Sequence, residues 1–220
     1  MNRPIAVLRP EPGNRITAAA IEGRGRRAIR LPLFATRPIA WGVPDAAAFD
    51  ALILTSANAV RWAGEGLAAL QGLPVYAVGE ATASAARRAH LDVVDVGSAG
   101  ATALVNQAAA AGVRRALHLA GRERTLEAGG IVAAVVPVYA SEALPIAAAE
   151  IAALAGSVAL IQSARAGARL AEIVPDRASI IVAAVSAAAA AAAGTGWAGV
   201  AVASHPETEA LIDTAIALCD

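Results

Sequence analysis

A chain of 220 residues, 57% hydrophobic and 16% charged, is long enough to bury one large or two small cores and too apolar to be disordered. Its 18 basic residues balance 18 acidic ones, and a formal charge of zero removes the usual electrostatic basis for a nucleic-acid partner. All the basic residues are Arg; without Lys there is no Schiff base, no pyridoxal-phosphate anchor and no Walker-type phosphate loop, so anion binding falls to Arg, hydroxyls and backbone N–H groups.

The N-terminal Arg3-Pro4 leads directly into an apolar run, Ile5–Leu8, too short for a signal-peptide core, and the chain is expected in the cytoplasm. That run is the first of ten expected strands. The others are Ala28–Leu33, Ala51–Leu54, Pro74–Val78, Val93–Val96, Ala116–Leu119, Val132–Val138, Val158–Ile161, Ile180–Ala183 and Val200–Ala203. Between them lie Ala-rich helical stretches: Asn14–Glu22, Asn58–Leu70, Glu80–Ala89, Ala101–Ala111, Ala147–Leu154, Ala164–Ile173, Val185–Ala193 and Pro206–Leu218. Near-continuous apolar strands alternating with helices predict α/β architecture with parallel sheets covered on both faces. The stretch Ala178–Ala203 has no charge and the length of a membrane span, but Gly194-Thr195-Gly196 breaks it, so it divides into strand, helix and strand rather than crossing a membrane. Cys219 is the only cysteine, and His90, His118 and His205 are far apart, which gives no disulfide and no metal-ligand spacing.

An internal repeat supports two related domains. Leu52-Ile53-Leu54-Thr55-Ser56-Ala57 parallels Ala159-Leu160-Ile161-Gln162-Ser163-Ala164, and Ala101–Val105 parallels Thr208–Ile212, both at an offset of 107 residues. The N-terminal β-α-β segment is expected to join the second copy, giving a discontinuous domain of residues 1–33 plus 139–220. Residues 34–138 then form an inserted domain, joined by two linker strands near Pro32-Leu33 and Val138-Tyr139. Ligands of such sheets sit beyond the C-terminal strand ends, so a cleft floored by the linkers is the expected site.

Polar clusters occupy those strand ends. The first domain offers Arg9, Ser163, Arg165, Ser186 and Ser204, and the inserted one Thr55, Ser56, Asn58, Gly79, Thr82, Gly121 and Arg122. Taken singly, Ser, Thr and Asn before a helix are N-caps worth roughly 1 kcal/mol; taken together they suit a ligand with many carboxylates and no single anchor. Arg9, Arg122 and Arg165 are candidate bidentate carboxylate partners, and Glu80 is a first-turn helix residue.

Several strings occur in an order that resembles the uroporphyrinogen-III synthase family. They are Leu8-Arg9-Pro10, Leu31-Pro32-Leu33-Phe34, Leu54–Val60, Val75–Ala83, Val136-Pro137-Val138-Tyr139 and Ala203–Thr208. Leu8 stands where the family often has Thr, and Val185-Ser186-Ala187-Ala188 keeps a single hydroxyl where the family has a Gly followed by several. The resemblance implies a cofactor-free, metal-free lyase of haem and other tetrapyrrole biosynthesis. Its substrate would be hydroxymethylbilane, a linear tetrapyrrole, cyclised with loss of water and inversion of the D ring. It further implies that Tyr139 is the general acid toward the departing hydroxyl, with the strand-end clusters binding substrate. The enzyme is expected to act as a monomer, away from nucleic acid and membranes. Two other classes remain open at this point: a non-catalytic cytoplasmic two-lobed binding module for a polyanionic small molecule, and a glycosyl or phosphoryl transferase, for which Lys, a glycine phosphate loop and paired carboxylates are missing.

Overall fold

In the computed structural model, which describes residues 3–219, each of the ten apolar runs contributes a strand to one of two sheets. The first sheet uses β1 (Ile5–Val7), β2 (Ala28–Arg30), β9 (Val158–Ile161), β10 (Ile181–Ala184) and β11 (Gly199–Val202), in the all-parallel order β11-β10-β9-β1-β2. The second uses β3 (Phe34–Pro38), β4 (Ala51–Leu54), β5 (Val75–Val78), β6 (Val93–Gly97), β7 (Ala116–Gly121) and β8 (Val132–Ala143), in the order β3-β8-β7-β4-β5-β6. From β8 to β6 its pairs are parallel. β3 runs antiparallel to β8: the Ile39 N–H donates to the Val138 carbonyl and the Leu144 N–H to the Leu33 carbonyl. Compact units follow the sheets, one comprising the chain up to Ala35 together with Ala143 onward, the other Thr36–Glu142.

Helices α1 (Gly13–Glu22), α5 (Ala148–Ala152), α6 (Ala164–Ile173), α7 (Ala187–Ala193) and α8 (Thr208–Ala217) belong to the first unit, and α2 (Ala57–Trp62), α3 (Glu80–Arg88) and α4 (Ala101–Ala110) to the second. Strand residues alternate between two buried faces, as parallel strands require. In the first unit Ala6, Leu8, Ala159 and Ile161 face a core with α6 and α7, whereas Ile5, Val7, Val158 and Leu160 face one with α1 and α8. In the second, Leu52, Leu54, Val75 and Ala77 pack toward α2 and α3, and Ala51, Ile53 and Tyr76 toward α4.

The repeat extends to the helix caps. Ser56 and Ser163, Gly79 and Ser186, and Gly100 and Glu207 are N-caps at the same 107-residue offset. Sheet order shows the rest of the correspondence: β1 and β2 hold beside β9 the places that β7 and β8 hold beside β4. The connection between those two strands differs. β1 reaches β2 through α1, which buries Ala18 and Ile21; β7 reaches β8 through residues 122–131, which contain no helix.

Three expectations are corrected. The strand Ala28–Leu33 stops at Arg30 and the chain resumes extended pairing at Phe34; Leu31 and Leu33 still donate to the Val7 and Leu8 carbonyls, while between them Pro32 locks φ at about −65°, away from the extended value of a strand. The helix Asn58–Leu70 ends at Trp62 and continues as a 3-10 segment, Gly64–Leu70, because Gly64 adopts φ +63°, which no α-helix admits. The strand Val132–Val138 runs on to Ala143. Ala178–Ala203 contains β10, α7 and β11, and no helix among the described residues is long and apolar enough to cross a membrane.

Candidate functional site

At the C-terminal ends of β4, β5, β7 and β8 the second unit opens into a cavity of about 390 Å³. Thr55, Ser56, Gly121 and Tyr139 line it, with Val78, Ala101 and residues 123–126. Local sequence explains why Tyr139 is there. Pro137 cannot donate to the ladder, and the β7–β8 register slips between Ala120 and Gly121, so Ala120 faces Pro137 while Gly121 faces Tyr139. The Arg122 N–H then donates to the Tyr139 carbonyl at 2.8 Å. Gly121 leaves room for the ring: a Cβ built on it would lie 2.8 Å from Tyr139 Cζ and 3.0 Å from its hydroxyl oxygen. The phenol is half-buried, lines the cavity and makes no hydrogen bond among the described residues.

Ser56 caps α2, accepting from the Asn58 N–H at 3.2 Å. The Asn58 side chain accepts from Arg61. Gly79 starts α3, and Thr82 is on that helix's buried face at 5% exposure, outside the cavity lining. The Arg122 side chain is exposed, and its carbonyl accepts from Arg124 at 3.0 Å. Thus the structure brings Thr55, Ser56, Gly121 and Tyr139 to one cavity and leaves Asn58, Gly79, Thr82 and Arg122 off its lining.

Beneath Thr55 lies a residue that motif reasoning passed over. His118, in the middle of β7, has 0% exposure, and its Nε2 is 3.1 Å from Thr55 Oγ1. Its Nδ1 makes no well-formed hydrogen bond among the described residues, although the Leu126 backbone lies close enough to favour the protonated ring. Burial pushes its pKa down to about 4; the Leu126 backbone and Glu127 pull the other way, and Arg124 adds to the depression. The ring is therefore neutral at pH 7. The available signal was compositional: His118 is the only polar residue in the fully buried run Ala116–Gly121. Glu123, Arg124, Thr125 and Leu126 were missed because they form the irregular segment that stands where the first unit has a helix.

In the first unit the expected residues also sit at strand ends. Ser163 and Ser186 cap α6 and α7, accepting from Ala166 N–H at 3.1 Å and Ala189 N–H at 3.3 Å. Ser204 lies 3.1 Å from His205 Nδ1 on the surface. Arg165 stacks over the Phe34 ring at 4.2 Å. Arg9 is half-buried and donates to Thr208 Oγ1 at 3.4 Å; burial lowers its pKa, yet a guanidinium stays charged near neutrality. This unit's cavity of about 440 Å³ is elsewhere, lined mainly by apolar residues of α5 and of 173–180, and contains none of the expected site residues.

The family model for uroporphyrinogen-III synthase HemD matches residues 16–213. Among solved structures, uroporphyrinogen-III synthetase from Helicobacter pylori superimposes with a TM-score of 0.69 at 19% identity, over 99% of this chain and 100% of that one. A mutant uroporphyrinogen III synthase from the extremely thermophilic bacterium Thermus thermophilus gives 0.54 at 18% identity, over 98% of each chain. At such identities both bear on the fold. No curated protein matches the chain significantly in sequence.

Proposed function

The chain belongs to the uroporphyrinogen-III synthase family, and from that premise we propose that its strand ends fold a linear tetrapyrrole for ring closure, with Tyr139 as the general acid. The family reaction removes the terminal hydroxyl of hydroxymethylbilane as water and closes the ring with the D pyrrole inverted. Two demands follow for the protein: a proton for the departing hydroxyl, and a fixed conformation of a flexible polyanion, so that uninverted closure loses.

The observation that carries the proposal is the shared cavity of Tyr139, Thr55 and Ser56. A half-buried phenol with no internal hydrogen-bond partner is free to donate to a ligand, and the Thr55 and Ser56 hydroxyls, held on one side by His118 and the Asn58 N–H, keep hydrogen-bonding capacity to orient one. Thr55, Ser56 and Gly121 are proposed as cavity contacts. Asn58, Gly79, Thr82 and Arg122 are proposed to act at the margin of the site, Thr82 through the start of α3 rather than by contact. For the first unit, Arg9, Ser163, Arg165, Ser186 and Ser204 are proposed carboxylate contacts; Arg9, desolvated and without a carboxylate partner among the described residues, is the best supported of these. We also propose that the two compact units are the two domains of the enzyme, and that it works as a monomer in the cytoplasm without a nucleic-acid partner.

The decisive experiment is incubation with freshly made hydroxymethylbilane, with chelator and without nucleotide, followed by isomer analysis of the oxidised porphyrins. The type III isomer is expected to dominate at catalytic protein levels. Type I alone, the spontaneous product, would overturn the assignment.

A further inference from the structure

We propose that His118 is a positioning residue of this site: from beneath the cavity it holds the Thr55 hydroxyl in the orientation that meets the ligand. The inference rests on the synthase reading above and deepens it. Its geometric basis is the 3.1 Å contact between Nε2 and Thr55 Oγ1, made by a ring with 0% exposure to a side chain that lines the cavity.

The molecule contains its own control. In β4–β7, Ile53 pairs with His118; in the related β9–β1 pair, Leu160, at the repeat offset from Ile53, pairs with Val7. Gln162 then stands where the second unit has Thr55. The same strand pair is thus built with valine when no Thr55 is present, so the fold has no need of an imidazole there. Burying one is unfavourable unless its polar atoms are satisfied, and the well-formed hydrogen-bond contact of this ring is the one to Thr55 Oγ1. That contact is with a cavity residue.

The physical effect is restriction of a rotor. A threonine side chain at a strand end can take several χ1 wells, and its hydroxyl hydrogen turns freely in each. A neutral ring fixed in the sheet selects one well and either donates to Oγ1 or accepts from it, which commits the remaining hydrogen-bonding capacity of Thr55 to the cavity. Because the ring stays neutral, it does this without placing a buried charge beside the segment that carries Arg124 and Glu127.

The test is a double-mutant cycle on turnover of hydroxymethylbilane. His118→Val should fold, since Val7 fills the related position, and its melting temperature should not fall. Its kcat/KM should drop about three- to tenfold, the worth of one ordinary hydrogen bond. Thr55→Val should show a similar drop, and the double variant should be no worse than either single one. His118→Gln, which can keep a polar group near the Nε2 position, should recover most of the activity. Losses that multiply in the double variant, or unchanged kcat/KM in His118→Val, would overturn the role of His118 while leaving the synthase reading intact. An inactive wild-type protein would overturn both.

Discussion

Tyr139 meets Gly121 because Pro137 deprives β8 of a donor and the register slips beside it. The catalytic reading of that phenol has a measurable size. General acid assistance is worth about 10²–10⁴ in rate, whereas an ordinary hydrogen bond contributes about 0.5–1.5 kcal/mol. Tyr139→Phe keeps the ring and removes the proton, so turnover should fall at least about tenfold, equivalent to roughly 1.4 kcal/mol of barrier. The melting temperature should change little, since the hydroxyl has no hydrogen bond to lose among the described residues. Isomer III should remain the product, because chain folding rests on other groups. Near-wild-type turnover in a folded variant would reduce Tyr139 to a structural residue. At this scale the strand pattern marks Thr55, Ser56 and Gly121 and the family motif marks Tyr139, and these four line one cavity. The contact of His118 with Thr55 was not legible, because the two are 63 positions apart in sequence and joined only by the β4–β7 register. Thr82 shows the converse: a hydroxyl near a helix start looks like a contact in sequence, yet helical phase turns it inward.

Helices show what composition can and cannot reveal. α7 is seven consecutive alanines, a pattern without amphipathic direction. Its place is set by α6, whose Gly167 lies against its backbone: a Cβ there would be 2.7 Å from the Ala189 carbonyl oxygen and 3.0 Å from the Ala193 nitrogen. Gly167→Ala therefore sets two effects against each other. Alanine favours the helix by about 1 kcal/mol, and forcing apart two packed backbones costs about 1–3 kcal/mol. Because backbone cannot swing aside as a side chain can, the overpacking should win, with a net loss of about 1–2 kcal/mol, read as a lower midpoint in denaturant. A raised midpoint would mean that the helices separate easily. The alternation of strands and helices was legible because both faces of each sheet are buried and the strands are apolar throughout. The break in Asn58–Leu70 was not read correctly, since the apolar spacing continues through Gly64 while the backbone does not. The segment 122–131 was left unassigned for a related reason: its work is done by an irregular path, which has no periodicity to detect.

Two predictions belong to the whole molecule. His118 has a folded pKa of about 4 against an ordinary 6.5. A group whose folded value is depressed contributes fully above the unfolded value and loses that contribution as pH falls through the folded one. Stability should thus decline between about pH 6.5 and 4 by up to roughly 3 kcal/mol, on top of any carboxylate titration. His118→Val should remove this component, so the stability difference between the two proteins should vary with pH over that window; a constant difference would show that the ring titrates normally. The second prediction concerns substrate. If many carboxylates are held by scattered Arg residues and backbone N–H groups, KM should rise with ionic strength, and no single change among Arg9→Ala, Arg122→Ala and Arg165→Ala should abolish turnover. Complete loss in a folded Arg9→Ala protein would mean that one anchor dominates.

The interleaving of the two units also orders events in time during synthesis. Residues 36–142 make up all of the second unit, whose sheet can close before the rest of the chain exists. β1 is made first, yet it pairs on one side with β2 and on the other with β9, whose first residue is Val158. At about 5–20 residues per second, roughly 8–30 s separate the emergence of the two. During that interval Ile5–Leu8, all at 0% exposure in the finished protein, lack half their sheet. The nascent chain must hold its first apolar strand in reserve while a complete compact unit is made behind it, and that waiting strand is the segment most exposed to misassociation and most in need of a holding chaperone.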